Sequence, residues 1–329
     1  MEYGISYFGN RILKYVEKDM IDLKQTGFQT VVHTFSEADF DFSEKYMAKI
    51  VQATKRAGLT VWIDPWGVGG VFGGEAFSGF LQKHPEAWQI SNHGKMMGSA
   101  CLNMNSFRAF IRSWIDACVN CGADTIFWDE PHLFLFQPRE RFPDEWTCRC
   151  SVCQSLFKDK YGYVMPNELI SDIVQFRNDS ILSFFTEMTS YAKSKSIENA
   201  LCFLPFESDY IGITDYEGIA KLNSISNLGS DPYWMAFQKP MQPFLSEVTQ
   251  RVLSLSDQYQ KKNHIWMQAF SVPSGRESEL VDGAQIIQEL GAQSILFWGV
   301  GACAHISRIA PDDPEKVWNT VQHIVRTTQ

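Results

Sequence analysis

The chain has 329 residues, of which 45% are hydrophobic and 20% charged, a balance that supports a large core and excludes a disordered chain. Its net charge of −9 repels phosphate backbones and anionic bilayers, so nucleic acid and membrane surfaces are set aside as partners. No apolar run approaches the roughly 20 residues that a membrane-spanning helix needs.

From Met1 the chain reads straight into a strand, Tyr3–Phe8, without the basic start and apolar stretch of a secretory leader. Its eight cysteines are therefore expected as reduced thiols or metal ligands, in a cytoplasmic setting. Further short apolar runs predict strands at Thr30–Thr34, Thr60–Ile63, Thr125–Trp128, Ala200–Leu204, Asn227–Gly229, His264–Gln268 and Ser294–Trp298. Amphipathic stretches between them predict helices, among them 43–57, 107–119, 170–194, 243–259 and 280–290. Gly58, Gly122 and Gly291 sit between a helical pattern and the next strand, where glycine supplies a left-handed helix stop. Eight β–α alternations without a Pro/Gly/Ser linker predict the α/β class and a single (β/α)8 TIM barrel over residues 1–329. An open doubly wound sheet would place a glycine-rich phosphate loop after the first strand, and Phe8-Gly9-Asn10-Arg11 is not one. Two connections are long, from about Pro65 to Asn105 and from Pro131 to Ser151. They follow strands three and four, which puts them on the C-terminal face of the barrel, where such folds carry their sites.

The strand ends supply the candidate chemistry. Strand three runs into Asp64-Pro65-Trp66, and strand four into Asp129-Glu130-Pro131-His132. Strand five leads to Glu207 and Asp209, strand six to Asp231 and Trp234, strand seven to Gln268, and strand eight to Trp298. A rim of carboxylates and indoles suits polyol recognition, since indoles stack on the apolar faces of sugar rings. Glycosidic cleavage needs two carboxyl groups in different environments. The expected assignment makes Glu130 the general acid, with Asp231 or Asp129 as the second carboxylate. A variant makes Asp129 the nucleophile and Asp231 the acid/base. Asp64, His132, Glu207 and Gln268 are the candidate hydroxyl binders, and Trp66, Trp234 and Trp298 the stacking platforms. Asp129 and Glu130 are neighbours and start on opposite faces of their strand, so they converge only if the strand breaks, as Pro131 predicts.

A second constellation is Cys148-Arg149-Cys150-Ser151-Val152-Cys153, three soft ligands within six residues. Zinc takes four ligands in a closed structural site, so a fourth must come from elsewhere. Cys101, in the other long connection, is the candidate. Cys118 and Cys121 lie on the following helix, where periodicity turns at least one toward the core.

Two segments carry a family resemblance. Residues 101–112, from Cys101 through Phe107, Arg108 and Phe110 to Arg112, are similar to the segment before strand four of glycoside hydrolase family 42 β-galactosidases that carries a zinc cysteine. Cys148-Arg-Cys150-Ser-Val-Cys153, continuing to Lys160-Tyr161-Gly162, resembles that family's Cys-x-Cys-x-x-Cys segment. The resemblance covers residues 100–165 and implies a structural zinc on Cys101, Cys148, Cys150 and Cys153. It also implies an acid/base role for Glu130, a carbohydrate substrate and a glycosidase barrel. Two positions depart from the family. Asp129 stands where it has Asn, and strand seven ends in Gln268 where it has its nucleophilic Glu. The second departure motivates an alternative, a sugar-binding barrel that has lost turnover. A catalytic divalent metal is the weakest reading, because no His-x-His or His-x-x-x-His pair occurs. A homo-oligomer is left open.

Overall fold

The computed structural model describes residues 1–137, 139–206 and 208–327. Strands β1 (Glu2–Tyr7), β2 (Thr30–Thr34) and β3 (Thr60–Asp64) are followed by a short hairpin, β4 (Trp88–Ile90) and β5 (Met96–Ala100). Then come β6 (Thr125–Trp128), β7 (Glu198–Phe203), β8 (Asn227–Ser230), β9 (Lys262–Gln268) and β10 (Ser294–Trp298). All but the hairpin close into one barrel in the order β1-β10-β9-β8-β7-β6-β3-β2. Every barrel pair is parallel, with β1 closing against β10 through pairings such as Tyr3 with Ile295. This is the (β/α)8 TIM barrel that the alternation predicts.

The strands are buried on both faces, as parallel barrels require, and the two faces feed two cores. Trp62, Phe127, Ala200, Cys202, Trp266, Leu296 and Trp298 point inward and fill the barrel with Phe8 and Val32. The alternate residues, among them Ile63, Ile126, Trp128, Leu201, Ile265 and Phe297, point outward and pack under the helices. Side-chain alternation along a strand thus assigns each residue to a layer, and the inward residues at the C-terminal ends become the floor of a mouth.

Helix ends follow local chemistry. Gly58, Gly122 and Gly291 all have positive φ, at 80°, 80° and 91°, and each stops its helix in the left-handed region. The second helix starts earlier than its apolar period announces, at Glu37 instead of Ser43. A capping box explains this: Ser36 accepts from the Asp39 amide, and the Asp39 carboxylate accepts from Ser36. Glu37 is only 3% exposed and faces the third connection. Its carboxylate accepts from the Gly69 amide at 2.8 Å, the Ser78 hydroxyl at 2.7 Å and the Phe80 amide. One buried carboxylate therefore fixes the long loop that overhangs the mouth.

Candidate active site

The mouth is built where β3, β6 and β8 end. Asp64 is the last residue of β3, two beyond the inward Trp62, so it faces the mouth. It is fully buried and neither carboxylate oxygen has a hydrogen-bond partner. Asp231 directly follows β8, is 2% exposed and leaves Oδ2 unpartnered. Its Oδ1 has a weak contact with the Cys202 thiol at 3.9 Å.

Asp129 and Glu130 converge. The backbone at Glu130 turns to φ 38°, a conformation that non-glycine residues seldom adopt. That turn breaks the strand's alternation immediately before Pro131, so the two neighbours leave the strand on the same side. A methyl at Gly73 would sit 2.3 Å from Asp129 Oδ2 and 3.3 Å from Glu130 Oε2. The two oxygens therefore lie within about 5.6 Å of each other, those distances laid end to end. Only glycine allows the third connection to approach both carboxyls so closely. Main-chain bonds lock the approach. The Gly73 amide donates to Asp129 O at 3.1 Å, and the His132 amide to Val71 O at 3.0 Å.

These carboxyls burden one another electrostatically. Burial pushes Asp64 well above the ordinary carboxylate range, and the charges of Asp129, Glu75 and Glu130 push it further. Burial raises Asp129 in the same way, reinforced by Glu130 and Glu75. Asp231 is raised by burial first, then by the charge of Glu130 and a hydrogen bond with it. Among the described residues, no Lys or Arg forms an ion pair with any of these groups. Protons stand in for the missing cations.

The other expected residues fall into three groups. Trp66 and Trp298 stay at the mouth, stacked on opposite partners of Phe8 with ring centroids 5.6 and 5.4 Å away. His132 is held beside them, its Nδ1–H donating to Glu130 O, and burial lowers its pKa so that it stays neutral. Gln268 faces inward and is fully buried, but its amide is engaged. Oε1 accepts from the Met235 and Ala236 amides at 3.0 and 3.4 Å, and Nε2 donates to Phe270 O at 3.4 Å. Trp234 does not reach the mouth. It packs in the outer core against Gly283, and its indole N–H donates to Glu279 at 3.0 Å. The turn through Pro232 presents Tyr233 instead, which lies half-buried against Phe270 at the mouth. Asp209 is exposed, and Glu207 lies outside the described residues. His264, at the start of its predicted strand, sits low in the barrel against Trp62 and Phe127. Sequence reading missed Glu75, whose carboxylate accepts from the Trp66 indole at 3.1 Å, and missed Gly73. The run Gly67-Val-Gly-Gly-Val-Phe-Gly-Gly74-Glu75 was the available signal, a flexible backbone ending in an acid.

The second constellation assembles as four buried thiols. Cys101, Cys148, Cys150 and Cys153 place their sulfurs within 4.8 Å of one another. Cys101 Sγ lies 3.5 Å from Cys153 Sγ and 3.6 Å from Cys150 Sγ. Tetrahedral zinc with Zn–S near 2.3 Å separates its sulfurs by about 3.8 Å, so the thiols present fit such an ion. Bonds among the thiols lower the Cys150 pKa and raise those of Cys101 and Cys153, so protons are shared across the set. Donors surround it. Asn103 Nδ2 reaches Cys153 Sγ at 3.4 Å, and the buried Arg177 guanidinium lies over Trp146 and feels the charge of Cys148. Arg177 also donates to Asp209 O and, at 2.8 Å, to Tyr210 O.

No family model matches the chain, and no curated protein matches it in sequence. The resemblance to family 42 β-galactosidases therefore rests on residues 100–165 alone. Solved structures do match in shape. The catalytic domain of a β-amylase from Paenibacillus polymyxa superposes with a TM-score of 0.67 at 9% identity, over 99% of this chain and 98% of its own. An endo-1,4-β-mannanase from Rhizomucor miehei gives 0.66 at 12% identity, over 99% and 95%. A D-psicose 3-epimerase gives 0.55 at 10% identity, over 99% and 97%. At these identities the likeness establishes the barrel, which hosts both glycosidases and an isomerising enzyme. Among the described residues, no helix is long and apolar enough to cross a membrane.

Proposed function

We propose that the protein is a glycoside hydrolase in which Glu130 and Asp231 are the working carboxyl pair. The observation that carries this reading is the placement of Asp231, buried with Oδ2 unpartnered, close enough to Glu130 for the Glu130 charge to raise it. A substrate enters between them. Glu130, the more exposed partner, is assigned the general-acid role toward the glycosidic oxygen. Asp231 is assigned the second role, attack on the anomeric carbon or activation of water, which it performs in its ionised form. Asp129 beside them hydrogen-bonds the sugar, with Asp64 and His132 completing the polar wall. Trp66 and Trp298 offer ring faces to the sugar. Gln268 serves as a strut for the loop after β8. The four thiols would hold a structural zinc, which supplies cross-linking of the two long connections and no step of the reaction.

Turnover over a panel of nitrophenyl glycosides and oligosaccharides tests the reading. Glu130→Gln should cost about 10²–10⁴ in kcat on oligosaccharides. It should cost far less on nitrophenyl glycosides, whose leaving group needs no proton. Equal losses on both would remove Glu130 from the acid role. A second reading, a sugar-binding barrel without turnover, is favoured by the neutral and fully engaged Gln268 at the end of β9. It predicts sugar binding that Glu130→Gln leaves intact and no hydrolysis by the parent protein.

A further inference from the structure

The mouth carries more carboxyl groups than hydrolysis needs. Two carboxyls suffice for the reaction, yet Asp64, Glu75 and Asp129 crowd the same opening. Crowded acids alone say little. Asp64 adds an independent fact: it is fully buried, faces the mouth, and has both oxygens without a partner. A buried carboxyl without partners costs stability and is retained where a ligand completes it. The donors are not gathered as for a metal. Among the described residues, the group of three or more ligand atoms drawn together in that way is the cysteine set. Carboxyls spread beside the Trp66 ring, with Glu75 bonded to its indole, fit an organic cation joined to a ring.

We propose that the substrate is an amino sugar with a free ammonium group, which docks between Asp64, Asp129 and Glu75 while Trp66 covers the ring. The inference rests on the glycosidase reading for its choice of a sugar, and names the class of sugar. The protein's own protons predict a signature. Burial and neighbouring charge hold these carboxyls in the neutral form, so an arriving ammonium favours their ionisation and releases protons to solvent. The groups facing Asp64 in that exchange are Asp129, Glu75 and Glu130.

Calorimetry on the full chain tests this with a glucosamine hexamer, its N-acetylated counterpart and a glucose hexamer, each in two buffers of different ionisation enthalpy. The expected result is binding of the glucosamine hexamer at least about tenfold tighter than either neutral hexamer, with proton release for it alone. Asp64→Asn, which keeps shape and mimics the neutral acid, should abolish the preference while the melting temperature holds. Glu75→Gln, on an exposed loop residue, should weaken it in the same direction. Equal affinities, a preference that survives both substitutions, or Mn²⁺ or Ca²⁺ binding without sugar that Asp64→Asn removes would each overturn the proposal. The glycosidase reading fails separately, if the preference is present but no reducing ends appear from any of the three hexamers.

Discussion

Two clusters of acidic side chains lie on the C-terminal face of this barrel, and they are finished differently. Around the four thiols, Asn103 donates to Cys153, and Arg177 sits in the buried wall with its guanidinium bonded to the loop after β7. Among the described residues, no Lys or Arg pairs with the mouth carboxyls, and oxygens of Asp64 and Asp231 are buried without partners. The first set has a donor on one sulfur, Asn103 on Cys153, and thiol contacts among its own members. The second is left unsatisfied, as suits a site whose partner comes and goes. Structural order and chemical readiness have been separated within one face of the fold.

The largest effects should sharpen the mouth side of that contrast. Beyond the kcat loss of Glu130→Gln, Gly73→Ala places a methyl 2.3 Å from Asp129 Oδ2 and should displace that carboxyl. A misplacement near 1 Å costs about 100-fold in rate, read in kcat with the melting temperature as the control. On the other side, Cys150→Ser should abolish stoichiometric zinc by metal analysis and cost several kcal/mol of stability, on the order of 3 or more. A chain that keeps its melting temperature and binds no metal would break the comparison, because the thiols would then need no ligand. Arg177→Met should cost about 3 kcal/mol, since it orphans the Asp209 and Tyr210 carbonyls and removes a buried cation near Cys148.

The smallest effect is a pH dependence. Folded-state pKa values of Asp64, Asp129 and Asp231 are raised, so these groups stabilise the fold fully below the ordinary carboxylate range near 4. Rising pH ionises the unfolded chain first, and that stability is lost until the folded groups also ionise. Glu130→Gln removes a charge that raises all three. It should therefore gain about 1 kcal/mol at pH 7–8 by denaturant melts, and the gain should vanish near pH 4. A gain independent of pH would show that charge crowding is not the cause.

The sequence disclosed the barrel because strands and helices write periods of two and 3.6 over many residues. It disclosed Asp64 and Asp231 because alternation, counted from Trp62 and the run of β8, turns them inward. The convergence of Asp129 and Glu130 was half legible: Pro131 announced a break, but the turn itself occurs at Glu130. Trp234 was misplaced because a turn through Pro232 and Tyr233 resets the parity on which a strand-end reading depends. Gln268 was placed correctly at the inward end of β9, yet its side-chain bonds depend on where residues 235 and 236 arrive. Gly73, Glu75 and the hairpin of β4 and β5 were not legible. Their conformations are set by contacts with Glu37, Val71 and Asp129 from distant parts of the chain, and three-residue strands are too short to show a period.

The main-chain bonds from Gly73 to Asp129 and from His132 to Val71 have one more consequence. They tie the end of β6 to the third connection by main chain alone at these two points. Substitutions at Glu75 or Trp66 leave both bonds untouched. Such changes at the mouth can therefore alter its lining while the backbone around Asp129 and Glu130 keeps its course.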